Sequence, residues 1–147
     1  MDKNMPYLLT DSARLLRRAF NERVRKTGAT SQQARLLLNI ERMPDQNQAY
    51  YAEKLEIEPI TLCRMVDRME EAGLIERRAD PGDRRARVLH LTERSRGEIE
   101  RIRSGLAGLI ETMLDGFDDS EQAQLAAMLA RISENLSVPA EELAVNG

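Results

Sequence analysis

The sequence is poor in the residues that form disulfides and metal sites. It has one cysteine, Cys63, and one histidine, His90, among 147 residues. A single cysteine excludes an internal disulfide, and no CxxC pair or histidine-rich cluster has the spacing of zinc ligands. We therefore expect no metal and no cofactor, and we expect the protein to reside in the reducing cytoplasm.

Long apolar runs are also missing. No stretch approaches the roughly 18 apolar residues that a membrane-spanning helix requires. The first residues, MDKNMPYLLTDSARLL, have neither the basic start and apolar run nor the small-residue cleavage site of a secretory signal. We therefore expect a cytoplasmic protein without a membrane partner.

The motifs of common catalytic sites are absent as well. The sequence has no paired serine and histidine, no carboxylate dyad at a glycine elbow and no phosphate-binding GxxxxGK. His90 alternates with Leu89 and Leu91 on a short β-leaning segment, so its side chain is expected to face solvent. We expect that the protein is not an enzyme.

Charge is divided unevenly along the chain. The net charge is −3, from 22 basic and 25 acidic side chains, but 21 of the basic ones precede residue 104 and eight of the acidic ones follow residue 103. Residues 1–103 therefore carry +4 and residues 104–147 carry −7. This asymmetry suits a protein with one surface against the phosphates of nucleic acid and another against a different partner.

Hydrophobic periodicity predicts six helices and one hairpin. The helices follow from apolar residues that recur every three or four positions and from capping residues, which are Thr30 or Ser31 for the second helix and Asn47 for the third. Two short β-leaning segments, 74–78 and 87–91, flank a polar tip that contains Gly82, which predicts the hairpin. The predicted helices cover approximately residues 8–28, 30–43, 47–55, 59–72, 92–116 and 119–139.

The order of short helix, tight turn, capped amphipathic helix and hairpin is that of a winged helix-turn-helix. In this motif the second helix of the pair enters the major groove of DNA. The predicted fold class is therefore mainly α with a small β-hairpin wing, and with additional helices from both termini.

The helix over 59–72 is the predicted DNA-reading element. Arg64 and Arg68 lie one turn apart, and a forked guanidinium can bind guanine O6 and N7 or a phosphate; the alternative is two solvated surface arginines. Ile60 and Thr61 can pack on thymine methyl groups or bind phosphate, although a core position is an alternative for Ile60. At about 100° per residue, the outward face carries Ile60, Thr61, Cys63, Arg64, Asp67 and Arg68.

The run LEIEPITLCRMVDRMEEAGLIERRADPGDRRARVLHLT, over residues 55–92, resembles the signature block of MarR-type transcription regulators. It has the helix, Gly-Leu-Ile exit, charged strand, DPxDRR wing tip and closing LT of that family. The resemblance implies a sequence-specific repressor that binds a pseudo-palindromic operator as a homodimer and is released by a small-molecule effector. It implies a single domain over 1–147, with the winged lobe at 30–92 and dimerisation helices at 1–28 and 93–139.

The wing tip supplies the remaining DNA-binding candidates. A basic hairpin tip suits insertion into a narrow, electronegative minor groove, and a flexible charged turn is the alternative. By position in the family motif, Asp83 orients Arg85, which is the first candidate for the minor groove. Arg84 and Arg87 are then expected to bind phosphates.

Other candidates have two interpretations each. Cys63 stands where serine or threonine is common in the family, which weakens any hydrogen bond to DNA, and a redox switch is the alternative role. Phe20, Tyr50 and Tyr51 are candidates for the wall of a pocket for amphipathic or phenolic ligands, or for core packing. A protein-binding adaptor with the same fold is the alternative function, but it would have no need of an arginine-lined helix and wing.

Overall fold

A computed structural model describes residues 4–137, and over this range the chain forms six helices and one two-stranded antiparallel sheet. The predicted mainly α fold with a hairpin wing is confirmed. The chain divides into two compact units within the fifth helix, one ending at Leu109 and the other beginning at Ile110. The elements are α1 Met5–Arg25, α2 Ser31–Arg42, α3 Gln48–Leu55, α4 Pro59–Glu71, β1 Ile75–Asp80, β2 Asp83–Leu91, α5 Glu93–Met113 and α6 Asp119–Ser137.

Capping side chains fix the starts of α2 and α3. Thr30 Oγ1 accepts a hydrogen bond from the backbone N–H of Gln33 at 3.2 Å, and Asn47 Oδ1 accepts one from Tyr50 at 2.9 Å. Each bond satisfies a backbone donor that the first helical turn leaves unpaired. Both predicted caps are confirmed, whereas the predicted end of the last helix, Pro139, lies outside the described residues.

The turn between α3 and α4 is only three residues long, 56–58. Glu56 adopts a left-handed conformation, with φ of 54° and ψ of 44°, which reverses the chain direction. Pro59 then occupies the first position of α4, where its missing N–H costs nothing and its fixed φ suits a helix. The predicted helix-turn-helix pair is therefore formed by α3 and α4.

The core of the first unit is built from α2, α3, α4, the strands and parts of α1 and α5. Tyr51 is fully buried in it, and Phe20 and Tyr50 pack against it. Core packing, the alternative to a pocket wall for these aromatic residues, is thus confirmed. The largest fully buried apolar side chains are those of Tyr51, Leu36, Ile40, Leu62, Met69, Ile75, Leu89, Ile99 and Ile102.

The Tyr51 hydroxyl donates a hydrogen bond to the Met43 carbonyl oxygen at 2.5 Å, and burial raises the pKa of this hydroxyl. Replacing Tyr51 with phenylalanine is expected to lower the free energy of unfolding by about 1 kcal/mol, because one partly buried hydrogen bond is lost. Urea denaturation measures this change. Tyr50→Phe is the control, since the Tyr50 hydroxyl has no hydrogen bond within residues 4–137, and equal stability of the two variants would contradict the expectation.

The wing is longer than predicted. The strands β1 and β2 pair from Ile75 opposite Leu91 to Asp80 opposite Asp83, with an irregularity between Ala79 and Asp80. Pairing therefore continues to the tip, where only two residues connect the strands. The predicted strands ended before the tip because the residues near the tip are charged and do not alternate between apolar and polar.

The inner end of β2 packs closely on the segment before α3. The backbone N–H of Leu89 donates to the Gln46 carbonyl at 3.2 Å, and His90 Nδ1 lies 3.8 Å from Asp45 Oδ1. The His90 side chain is only 23 % exposed, so it is more buried than the alternating pattern predicted. Alternation along a strand shows which residues share a face, but it does not show which loop covers that face.

Apolar side chains remain exposed on the helices near both termini. On α1, Tyr7 is 65 % and Leu8 52 % exposed. On α6, no described residue is buried, and Met128 and Leu136 are 52 % and 74 % exposed. Among the described helices, none combines the length and apolar character needed to cross a bilayer.

Candidate nucleic-acid interface

The exposed face of α4 carries most of the predicted reading residues. The helix buries Leu62, Met65, Val66 and Met69 in the core, and this fixes which side faces outward. Ile60 is 63 % exposed, so the core alternative for this residue is wrong. Thr61, Arg64 and Arg68 are also exposed, and neither arginine forms an ion pair within the described part of the chain.

Cys63 lies at the side of α4 rather than at the centre of its exposed face. The residue is half-buried, and its Sγ is 3.7 Å from Nη2 of Arg77 on β1. Cys63 therefore lies on the side of α4 that faces strand β1 of the wing. The side chains of Ile60, Thr61, Arg64 and Arg68 are exposed to solvent.

The wing tip presents a group of exposed charged side chains, Asp83, Arg84, Arg85 and Arg87. Asp83 Oδ1 accepts a hydrogen bond from the backbone N–H of Arg85 at 2.9 Å, and Asp80 Oδ1 accepts one from Gly82 at 2.9 Å. These bonds fix the backbone of the tip. Asp83 thus contacts the main chain of Arg85, and the Arg85 guanidinium has no ion pair among residues 4–137.

A groove of about 340 Å³ connects the wing with the starts of α3 and α4. Its lining includes Gln48 at the start of α3, Pro59 at the start of α4, and Arg85 and Arg87 on β2. The reading helix and the wing arginines therefore border one continuous surface. This surface combines amide and guanidinium groups, which suit phosphate and base edges.

Arg77, on β1, is a residue that the sequence reasoning missed. Its guanidinium lies 2.6 Å from Asp67 Oδ1, 3.0 Å from the Cys63 carbonyl oxygen and 3.2 Å from Gln48 Oε1, and only 16 % of the side chain is exposed. A sequence signal existed, because Arg77 alternates with Glu76 and so shares a face of β1 with buried Ile75. Asp67, predicted on the outward face, is engaged by this arginine.

The opposite face of β1 carries an exposed ion pair. Arg78 Nε lies 3.1 Å from Glu76 Oε1, and the hydrogen bond and charge of Arg78 lower the pKa of the Glu76 carboxyl. Exposed pairs of this kind contribute little to stability. Arg77 and Arg78 are thus adjacent arginines with different surroundings.

The part of the chain that the structure describes has no group of three or more histidine, cysteine, aspartate or glutamate side chains placed to hold a metal ion. The described residues include an exposed face of α4 with two arginines that form no ion pair, and a hairpin tip with three more exposed arginines. This arrangement suits the phosphates and groove edges of duplex DNA.

Comparison with known proteins identifies the family of the chain. The family model described as MarR family matches residues 29–86. The crystal structure of the transcriptional regulator PA3341 is 30 % identical, with 91 % of this chain and 98 % of that chain covered and a TM-score of 0.76. The transcriptional repressor CouR, bound to a 23-mer DNA duplex, is 27 % identical, with 88 % and 92 % covered and a TM-score of 0.69.

A mutant of MarR from E. coli, complexed with operator DNA, shares the fold at 22 % identity, with 90 % of this chain and 99 % of that chain covered and a TM-score of 0.68. The winged helix-turn-helix, its exposed arginines and these matches lead to one assignment. The chain belongs to the MarR family of DNA-binding transcription regulators.

Proposed function

We propose that the protein is a repressor that binds a pseudo-palindromic operator as a homodimer and is released from it by a small-molecule ligand. The observation that carries the proposal is that Arg64 and Arg68 on α4 and Arg85 on the wing are all exposed and form no ion pair within residues 4–137. A groove connects the wing with the start of α4 at Pro59. The 27 % identical repressor CouR, bound to a DNA duplex, supports it.

In this proposal α4 enters the major groove. Arg64 and Arg68 are one helical turn apart on the exposed face, so both can reach base edges or phosphates along one groove. Ile60 and Thr61, exposed at the start of the helix, contact thymine methyl groups or the backbone. Cys63 stays at the edge of this contact because it is half-buried against β1.

The wing binds the adjacent minor groove. Arg85 enters it, because a guanidinium is favoured by the strong negative potential of a narrow groove. Arg84 and Arg87 bind the flanking phosphates. The hydrogen bond from the Arg85 backbone to Asp83 fixes the tip and lowers the conformational entropy that Arg85 loses on binding.

A second copy of the chain covers the exposed apolar side chains. Tyr7 and Leu8 on α1, and separately Met128 and Leu136 on α6, are each more than half exposed, and burying such groups contributes roughly 25 cal/mol per Å². We assign residues 1–28 and 93–139 to dimerisation and residues 30–92 to the winged lobe. Two lobes then present two α4 helices to successive major grooves.

A groove along α1 supports the ligand part of the proposal. It measures about 750 Å³ and reaches Glu56 in the turn between α3 and α4. Its charged lining on α1 consists of four arginines and one carboxylate, Arg14, Arg17, Arg18, Arg25 and Glu22, so basic groups predominate. An anionic ligand bound there touches both α1 and the reading head. Ligand binding then changes the spacing of the two heads, and DNA affinity falls because both half-sites must be engaged together.

A gel shift on the DNA that flanks the gene tests the DNA-binding part. Binding is expected at 50 mM salt, and affinity should fall by roughly 10³- to 10⁵-fold on going to 200 mM if the dimer makes about six to ten phosphate contacts. A mixed-sequence duplex of the same length is the control for specificity. No binding at 50 mM salt, or equal affinity for the mixed duplex, contradicts the proposal.

A further inference from the structure

The Arg77 side chain joins three elements of the winged lobe. It leaves β1 and donates hydrogen bonds to Asp67 and the Cys63 carbonyl on α4, at 2.6 and 3.0 Å, and to Gln48 on α3, at 3.2 Å. Its Nη1 also lies 3.4 Å from Glu70 Oε1, and its backbone N–H donates to Glu70 Oε2 at 3.1 Å. With 16 % exposure, this guanidinium is largely enclosed by its partners.

Arg77 is the outermost point at which β1 is held to the helices. Ile75 is buried, whereas Arg78 and Ala79 beyond Arg77 are exposed. The wing consists of only two strands, and an isolated hairpin is marginally stable in water, so its direction depends on its anchors. On β2, Val88 forms a backbone bridge with Asn47 and Leu89 donates to Gln46, so this strand is held to the segment before α3. Arg77 supplies the side-chain anchor of β1, and the two anchors together set the direction of the tip that carries Arg85.

We propose that Arg77 is a positioning residue that holds the wing at a fixed distance from α4, so that Arg64 and Arg85 meet DNA at the same time. This inference rests on the proposed function, in which α4 and the wing contact one operator. Arg77 itself does not contact DNA, because its donors are already engaged by protein acceptors. It also neutralises two carboxylates, Asp67 and Glu70, which would otherwise repel phosphate beside the reading arginines.

The geometry requires a guanidinium rather than a positive charge alone. Arginine presents five N–H donors in a rigid planar fork, whereas lysine has one compact ammonium group on a flexible stem. A lysine at position 77 can pair with Asp67, but it cannot also reach Gln48 and the Cys63 carbonyl. Arg77→Lys therefore retains the charge and removes the fixed connection.

A double-mutant cycle tests the positioning role. Operator affinity is measured by fluorescence anisotropy at constant salt for the wild-type protein, Arg77→Lys, Arg85→Ala and the double variant. We expect Arg77→Lys to lower affinity at least tenfold in the wild-type background and less than twofold in the Arg85→Ala background. The second effect is small because the wing contact that Arg77 positions is already lost.

Arg78→Lys is the matched control. It makes the same substitution one residue along the same strand, at an exposed side chain that pairs only with Glu76 among the described residues. Its affinity should stay within twofold of the wild-type protein. A similar loss from Arg78→Lys and Arg77→Lys would overturn the assignment to Arg77.

Circular dichroism melting curves show which variants are folded at the assay temperature. If Arg77→Lys is unfolded there, Gln48→Ala replaces it in the cycle, since this variant removes the connection of Arg77 to α3. Gln48 also lines the groove, and a lost contact of its amide with DNA would add to the loss from Arg85→Ala rather than disappear with it. We again expect the variant to lower operator affinity in the wild-type background and to have little effect on affinity in the Arg85→Ala background. Unchanged affinity for the folded variant used, or additive losses, overturns the inference.

The cycle separates this inference from the proposed function. An Arg85→Ala protein that binds like the wild type contradicts the wing contact and therefore both proposals. A clear loss from Arg85→Ala, together with an additive loss from Arg77→Lys, leaves the proposed function intact and overturns only the positioning role.

Discussion

Replacing Arg64 with alanine is expected to lower operator affinity by roughly 1 to 3 kcal/mol at each half-site, if the guanidinium binds guanine bidentately. A homodimer carries the change at both half-sites, so the total loss is about twice this value. The reason is geometric: Arg64 is exposed on α4, opposite the buried Leu62, Met65 and Val66, and no described carboxylate neutralises it. Anisotropy titration on the operator measures the loss.

Arg101→Ala is the control for this substitution. Arg101 lies on α5, its side chain is 62 % exposed, and it pairs with Glu98 on the same helix, so its removal changes net charge without touching α4. A base change at the guanine that Arg64 reads should weaken the wild-type protein but not Arg64→Ala. Equal losses from Arg64→Ala and Arg101→Ala would contradict a reading role for Arg64.

Introducing aspartate at Met128 is expected to convert the protein to a monomer and to weaken operator binding by roughly 10² to 10⁴-fold. Met128 is 52 % exposed on α6, a helix with no buried residue among those described, so the isolated chain tolerates the change. In the proposed dimer the same position is buried, and an unpaired carboxylate is strongly disfavoured there. The affinity falls because two linked half-site contacts become one.

Sedimentation velocity and the gel shift check this expectation together. Ala127→Asp is the matched control, because it adds the same charge to the same exposed helix. Ala127 lies about 100° from Met128 around the helix axis, in the direction away from Leu129 and Ile132. The control should sediment and bind as the wild type does. A wild-type protein that sediments as a monomer, or a dimeric Met128→Asp protein, contradicts the assigned interface.

Local features of the sequence were sufficient to predict the helices and the hairpin of the winged lobe. The caps at Thr30 and Asn47 form as predicted because an N-cap bond links residues only three positions apart. The two faces of α4 follow from the helical period alone, which is why exposed Arg64 and Arg68 were found. The fixed spacing of the block from residue 55 to residue 92 was sufficient to suggest the family.

The environment of the wing was less predictable. Pairing extends to Asp80 and Asp83, although the residues near the tip are charged, because backbone hydrogen bonds do not depend on apolar side chains. His90 is half-buried because the chain before α3 lies against β2, which no pattern within the strand reports. The site residues of the tip were still identified, since exposed arginines in a turn form a local signal.

By itself the sequence determined the order of the elements, the inner and outer faces of α4 and the basic wing tip, because each depends on residues within a few positions of one another. The tertiary structure decided that Arg77 is enclosed and joins the wing to the helices. Its partners Cys63 and Gln48 are 14 and 29 positions away, and contacts across such separations depend on how the elements pack. The packing of β1 against α4 brings the carboxylates of Asp67 and Glu70 to the guanidinium of Arg77. The periodicity of the sequence does not predict this contact.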